Sequence, residues 1–130
     1  MYLPDTNTMI YYFRGLGQVA SRLLQQRPRN IALSSIVEYE LLVGIEKSPS
    51  PARRRRQLTV LREVVTYLPF GDEEAKQASR LRAKLERAGT PIGPYDVLIA
   101  ATALAQGATL VTHNVSEFSR VPGLQVVDWF

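Results

Sequence analysis

The chain has 130 residues, of which 45% are hydrophobic and 22% charged, a composition typical of one globular domain rather than a disordered chain. It has no cysteine and a single histidine, His113, which excludes disulfides, thiolate metal sites and zinc sites built from several imidazoles. Sixteen Lys and Arg against twelve Asp and Glu give a net charge of +4, which favours a polyanionic partner without establishing one.

The sequence gives no sign of membrane insertion or export. No apolar run approaches the roughly 20 residues of a membrane span, and the N-terminus lacks the basic start and apolar stretch of a signal peptide. We therefore expect a cytoplasmic protein with no membrane partner. No repeat, low-complexity segment or linker divides the chain, so we expect a single domain over residues 1–130.

Strand and helix signals alternate along the chain. Short apolar runs predict strands at MYL, IALSS, VTYLPF, ATLVT and LQVVDW. Helical periodicity and capping residues predict helices at TNTMIYYFRG, VASRLLQQR, IVEYELLVGIEKS, RRRRQLTVLREVV, DEEAKQASRLRAKLERAG and YDVLIAATALAQG. This alternation predicts an α/β fold in which helices cover both faces of a mainly parallel sheet of about five strands.

Two acidic residues fall where such a fold binds ligands, at the carboxyl ends of strands and at helix starts. Asp5 follows the first strand in the stretch Asp5-Thr6-Asn7, and Thr6 or Asn7 is expected to cap the next helix. Asp96 lies in the first turn of the most apolar helix, where a charge–dipole interaction would explain it equally well. Taken alone, each position is an ordinary helix-terminal residue.

Two further stretches supply polar candidates. In VEYELLVG, Glu38 and Glu40 lie on a helix that is apolar on nearly every side, and the helical wheel does not choose between them. Gly44, one turn after Glu40, would allow close approach of another backbone. After the fourth strand, the stretch VTHNVSEF gathers polar side chains that we expect in a loop, namely Thr112, His113, Asn114, Ser116 and Glu117.

These signals converge on one edge of the sheet. Asp5, one helical glutamate and Asp96 would repel one another there unless a cation lay between them. Because any metal must be held by oxygen, the sequence favours Mg²⁺ or Mn²⁺, and such a site suits phosphodiester hydrolysis. His113 is a candidate general base, although a lone loop histidine is more often a surface or hydrogen-bonding residue.

The motifs LPDTN, ELLVG followed by EKS, GTPIGPYDVLIAATAL and TLVTHNVSEFSRVPGL resemble those of PIN-domain ribonucleases, and more closely the VapC toxins of bacterial toxin–antitoxin modules. The resemblance covers essentially the whole chain, in order. It implies a three-layer α/β/α sandwich and an endoribonuclease dependent on Mg²⁺ or Mn²⁺. It also implies a homodimer and inhibition by a cognate VapB-type antitoxin.

The same resemblance assigns the site. Asp5 matches the first acid of the family, Asp96 the third, and the acid before Leu-x-x-Gly selects Glu40 over Glu38. The fourth acidic position falls at Asn114, an amide that brings no charge, and Glu117 three residues later could supply the missing carboxylate. Asn7, Thr112, Asn114 and Glu117 are expected to support the three ligands. Pro4, which removes a strand N–H, is a second departure from the family pattern.

The expected reaction is metal-assisted hydrolysis of RNA, with tRNA a candidate substrate and Arg80, Arg82 or Arg87 guiding its backbone. One alternative is a catalytically weak PIN domain that acts as an RNA- or protein-binding module, which the amide at Asn114 favours. Another is a haloacid-dehalogenase-like phosphatase with Asp5 as nucleophile. That chemistry requires a second Asp two residues later, where this chain has Asn7.

Overall fold

The protein is described here by a computed structural model that covers all of residues 1–130. The strands are β1 (Tyr2–Pro4), β2 (Ala32–Ser34), β3 (Thr66–Leu68), β4 (Thr109–Val111) and β5 (Val126–Val127). The helices are α1 (Thr6–Arg14), α2 (Val19–Leu24), α3 (Ser35–Glu46), α4 (Pro51–Val64), α5 (Asp72–Arg87), α6 (Pro94–Gln106) and α7 (Val115–Phe118). Each predicted strand and helix is present, within a few residues of its expected bounds.

All strand pairs are parallel. β1 pairs with β4 and β4 with β5, while β2 pairs with β3. A single parallel bridge between Tyr2 and Ile31 connects the two groups, which gives the spatial order β3-β2-β1-β4-β5. The predicted parallel α/β sheet of about five strands is therefore confirmed, with one weak connection between β2 and β1.

Pro4 accounts for that weak connection. The Asp5 N–H donates to the Val111 carbonyl, and the Thr109 N–H donates to the Met1 carbonyl, both at 2.9 Å. Because alternate residues of a parallel strand face the same neighbour, Met1 and Asp5 face β4 and Pro4 faces β2. Proline has no N–H to donate, so a ladder bond to β2 is lost at this position.

Both faces of the sheet are covered. Neighbouring strand residues point to opposite faces, yet Leu3 and Pro4 are both buried, as are Leu110 and Val111. The buried hydrophobic side chains form one cluster of 28 residues that runs from Leu3 to Trp129. These features are those of the expected three-layer sandwich, and they leave the carboxyl ends of β1 and β4 side by side.

Two local predictions were wrong. The N-cap of α1 is Asp5 rather than Thr6 or Asn7, because Asp5 Oδ1 accepts a hydrogen bond from the Thr8 N–H at 2.9 Å. The stretch after β4 is not only a loop, since Val115–Phe118 forms one helical turn that buries Phe118. Four residues are too few to show a helical period in the sequence. No helix is both long enough and apolar enough to cross a membrane.

Candidate active site

Asp5 lies at the end of β1, beside the end of β4. Only 5% of the residue is exposed, and both of its carboxylate oxygens have partners. Oδ1 caps α1 through the Thr8 N–H, and Oδ2 accepts a hydrogen bond from the Thr112 hydroxyl at 2.6 Å. A carboxylate oxygen has two lone pairs, so each oxygen retains the capacity to bind a cation. Asp5 is thus both a structural cap and a candidate ligand.

Glu40 reaches the site from α3, which begins after β2 with Ser34 as its N-cap. The Thr6 hydroxyl, at the start of α1, donates to Glu40 Oε1 at 2.6 Å. Glu38 instead accepts a hydrogen bond from the Tyr67 hydroxyl and pairs with Arg62, each at 3.2 Å. The structure therefore places Glu40 against the start of α1, next to the residue that follows Asp5, and gives Glu38 a packing role between α3, α4 and β3.

Asp96 lies in the first turn of α6, where Pro94 occupies the first helical position. The pKa of the Asp96 carboxyl is raised from its ordinary 3.8 to about 7. Burial is the largest cause, followed by the negative charges of Glu117, Asp5 and Glu40 and a side-chain hydrogen bond with Glu117. Three other carboxylates therefore act on Asp96 at this edge of the sheet.

Glu117 is held toward Asp96 by two donors. Its Oε1 accepts from the Gly93 N–H at 2.9 Å, and its Oε2 accepts from the Asn114 side-chain amide. A Cβ built on Gly93 would lie 3.0 Å from Asp96 Oδ2 and 3.8 Å from Glu117 Oε1. The glycine leaves space that both carboxylates occupy, and Asn114 supports a neighbouring carboxylate.

Other predicted residues lie elsewhere. His113 is exposed, bonds Asp128 through Nδ1 at 2.9 Å and stacks on Phe130 with ring centroids 4.4 Å apart. It therefore belongs to a cluster with the C-terminal residues rather than to the carboxylates. Asn7 is exposed on α1. The arginines proposed as RNA guides are exposed on α5, and one of them, Arg82, pairs with Glu86 at 3.3 Å.

Metal ligation is a stricter requirement than charge coupling. No three Asp, Glu or His side chains are gathered so that they could hold a metal ion as they stand. Charges interact over about 10 Å, whereas ligand oxygens must lie roughly 2 Å from the ion, so the two observations agree. The donor set fits a hard cation in its chemistry, because it consists of carboxylates whose mutual repulsion a cation would relieve.

Two groups at the site were missed by the reading of the sequence. The Thr6 hydroxyl was expected at most to cap α1, yet it bonds Glu40 across the gap between β1 and β2. The role of the Gly93 N–H could not be predicted, because every residue except proline has a backbone N–H and its partner depends on the fold. The Gly-Pro pair before Asp96 was the one sequence signal for this donor, because a proline typical of a helix start follows Gly93 and makes Gly93 the N-cap of α6.

Comparison with known proteins identifies the family of this chain. The PIN domain family matches residues 2–124. The tRNA(fMet)-specific endonuclease VapC of Salmonella typhimurium is 34% identical over 128 residues, which are 98% of this chain and 97% of the relative.

Two solved structures share the fold over nearly the whole chain. DNA-bound VapBC from Salmonella typhimurium matches with a TM-score of 0.91 and 35% identity, covering 99% of this chain and 98% of that chain. VapBC2 from Rickettsia felis, bound to a promoter DNA fragment, matches with a TM-score of 0.89, 34% identity and the same coverage. The chain therefore belongs to the PIN-domain family and, within it, to the VapC ribonucleases of toxin–antitoxin systems.

Proposed function

We propose that this ribonuclease is the toxin of a type II toxin–antitoxin module and hydrolyses phosphodiester bonds in structured RNA, including tRNA, with Mg²⁺ or Mn²⁺ as cofactor. The observation that carries the proposal is the set of carboxylates around Asp96, where burial and three other acidic side chains together raise its pKa to about 7. A fold has no structural need for such repulsion, and perturbed carboxyls of this kind are typical of functional sites.

Asp5, Glu40 and Asp96 would hold the cation, with Glu117 as a fourth carboxylate in place of the amide at Asn114. When bound, the cation lowers the pKa of a water molecule and neutralises charge on the scissile phosphate. Thr112 and Thr6 hold Asp5 and Glu40 in place through their hydroxyls. Because these side chains are not yet gathered around one point, binding would require them to turn toward one another.

The test is cleavage of unfractionated bacterial tRNA in Mg²⁺, in Mn²⁺ and after removal of metal with EDTA. We expect cleavage with either metal and none in EDTA. Asp96→Asn should lower the cleavage rate by at least about a hundredfold, because it removes one ligand charge. Glu63→Gln, which removes an exposed charge on α4 outside the site, should leave the rate unchanged. Full activity of Asp96→Asn would contradict the proposal.

The alternative is a PIN domain that binds RNA or protein without cleaving it, favoured by the uncharged Asn114. Calorimetric titration with MnCl₂, run beside the tRNA assay, separates the two functions. Metal binding that depends on Asp96, together with new RNA ends, supports the nuclease. Metal binding without cleavage of any cellular RNA pool supports the binding module. Glu117→Gln tests whether this residue supplies the missing fourth charge.

A groove beside the site is the proposed binding surface for a VapB-type antitoxin. It lies between α1, α3 and α4, has a volume of about 330 Å³ and includes Glu40 among its lining residues. Its apolar lining comprises Ile10, Phe13, Leu41, Ile45 and Leu58, and its lining also includes the basic residues Arg14, Lys47 and Arg54. A Cβ on Gly44 would meet nothing within 4 Å, so the expected close approach to another backbone within this chain was wrong.

This groove gives the antitoxin proposal its own test. An apolar segment bound there would lie against Glu40 and could block access to the carboxylates. Gly44→Trp should fill the groove and weaken inhibition by the antitoxin. RNA cleavage by the isolated toxin should persist, because Gly44 is exposed and has open space around it. Inhibition that is unchanged in this variant would remove the groove from the proposal.

We also propose that the toxin is a homodimer that acts in the cytoplasm, where its RNA substrates occur. Exposed apolar side chains support a self-association surface, among them Val60 and Val64 on α4. Light scattering of the purified protein measures the mass directly. A monomer at micromolar concentration would contradict the dimer.

A further inference from the structure

Two tyrosines stand immediately before two of the site carboxylates. Tyr39 precedes Glu40 on α3, and Tyr95 precedes Asp96 at the start of α6. Their rings meet across the gap between the helices, with centroids 5.7 Å apart and planes inclined by 49°. The fold thus places a pair of aromatic side chains at the border of the acidic site.

The pair is exposed and is not part of the core. Tyr39 is 49% exposed and Tyr95 is 44% exposed. Neither belongs to the hydrophobic side chains that pack against the core, a group that does include Tyr2, Tyr11, Tyr12 and Tyr67. Two aromatic rings that meet in solvent without supporting the core indicate a contact surface rather than a packing role.

The rings also border the acidic site, because each tyrosine directly precedes one of its carboxylates in the chain. An uncharged aromatic surface next to several carboxylates can attract a ligand that the carboxylates repel.

We infer that Tyr39 and Tyr95 form a stacking platform for a nucleobase next to the phosphate that is cleaved. This inference rests on the proposed ribonuclease function. The acidic site repels the phosphates of RNA, so affinity must come from a bound cation and from contacts outside the carboxylates. Stacking of a base on an aromatic ring supplies such affinity and tolerates any sequence, because every base has a π face.

The test compares two polyanions as competitors of tRNA cleavage. Polyadenylate carries bases and phosphates, whereas inorganic polyphosphate carries phosphates alone. The wild-type enzyme should be inhibited more strongly by polyadenylate at equal phosphate concentration. In Tyr39→Leu and Tyr95→Leu, polyadenylate inhibition should weaken about tenfold, while polyphosphate inhibition stays the same. The KM for tRNA should rise with a smaller change in kcat.

Matched variants separate the ring from other effects. Tyr39→Phe and Tyr95→Phe keep the ring and should retain the preference for polyadenylate. Leu24→Ala removes an exposed apolar side chain on α2 and should change neither competitor. Thermal unfolding of each variant checks the fold, and the exposure of both tyrosines predicts little change in the melting temperature.

Three outcomes would overturn the inference. Leucine variants with unchanged polyadenylate inhibition would exclude stacking, while wild-type cleavage would leave the proposed function intact. Equal loss of inhibition by both polyanions would assign the pair to a phosphate contact. If the leucine variants lost both the dimer mass in light scattering and RNA cleavage, the pair would be assigned to a contact between two copies of the chain. Absence of RNA cleavage by the wild-type enzyme would instead contradict the proposed function itself.

Discussion

The β1–α1 corner and the start of α6 hold their carboxylates in opposite ways. Asp5 is buried and accepts one hydrogen bond at each oxygen, from the Thr8 N–H and the Thr112 hydroxyl. Asp96 is partly exposed, and its pKa is raised first by its partial burial and then by the negative charges of other carboxylates. Hydrogen bonds from the fold hold Asp5, whereas Asp96 lies where a negative charge is disfavoured.

This difference indicates how one site can combine stability with reactivity. The carboxylate that closes the corner between a strand and a helix contributes to the free energy of folding. The carboxylate that begins α6 works against folding whenever it is ionised and no cation is near. Substitutions at the two positions should therefore have similar effects on catalysis and opposite effects on stability.

The largest effect on stability is expected at Asp5. Asp5→Ala removes the cap of α1 and leaves the Thr112 hydroxyl without its acceptor, so the free energy of unfolding should fall by about 2–3 kcal/mol. Asp5→Asn is the matched control, because Asn caps helices as well as Asp does but brings no charge. Both variants should lose tRNA cleavage, whereas urea denaturation should show a marked loss of stability only for alanine. Equal stability of the two variants would contradict the stabilising role of the hydrogen bonds to Asp5.

Thr112 tests the second hydrogen bond of the same corner. Thr112→Val keeps the shape but removes the donor to Asp5 and the acceptor of the Asn114 N–H, so we expect a loss of about 1–2 kcal/mol in urea denaturation. Thr112→Ser retains the hydroxyl and should lose less. Cleavage should fall in the valine variant, because Asp5 is then free to turn. A valine variant with wild-type stability would show that the hydroxyl does not hold Asp5.

The effect at Asp96 should be smaller and should depend on pH. A carboxyl whose pKa is raised in the folded state contributes stability below the unfolded pKa, near 4, and loses it as pH rises through about 7. Without metal, the free energy of unfolding of Asp96→Asn should therefore be about 1 kcal/mol higher than that of the wild type at pH 8. The difference is small because water screens the partly exposed carboxyl. At pH 4 the difference should vanish. Urea denaturation in EDTA at pH 4 and at pH 8 measures this difference in stability.

The mildest effect is expected at Gly93. Its φ of −56° is ordinary, so Gly93→Ala introduces no backbone strain, but the new Cβ would lie 3.0 Å from Asp96 Oδ2. A shift of a few tenths of an ångström in that carboxylate should slow cleavage by about threefold to tenfold. Gly71→Ala is the control, since Gly71 is also a helix N-cap but has open space around it. Similar rates for both variants would contradict the spatial role of Gly93.

Sequence reasoning located the edge of the sheet but not the contacts across it. Asp5 and Asp96 were found because parallel strands bring their carboxyl ends together, and the structure does place Asp5 and Asp96 in one electrostatic group. Glu40 was chosen over Glu38 by family resemblance alone, because the choice depends on two distant partners. Thr6 and Arg62 lie 34 and 24 positions away along the chain, and no helical wheel includes them.

Other features could not be predicted for similar reasons. The position of Glu117 depends on the single turn of α7, which is too short to have a period. The N-cap of α1 was predicted at Thr6 or Asn7 instead of Asp5 because Asp, Thr and Asn are all good caps, and only the end of β1 in the structure shows where the helix begins. The ligands, the metal and the extent of the domain, residues 1–130, remain predictions from the sequence.

The missing backbone bond at Pro4 affects the separation of Asp5 and Glu40. Asp5 follows β1 and Glu40 lies on the helix that follows β2, so the gap between these strands runs between the first two carboxylates. A continuous ladder would have set their separation rigidly. Here a single bridge at Tyr2 and the Thr6 hydroxyl set it, so we expect the Asp5–Glu40 distance to adjust more readily than a continuous ladder would allow.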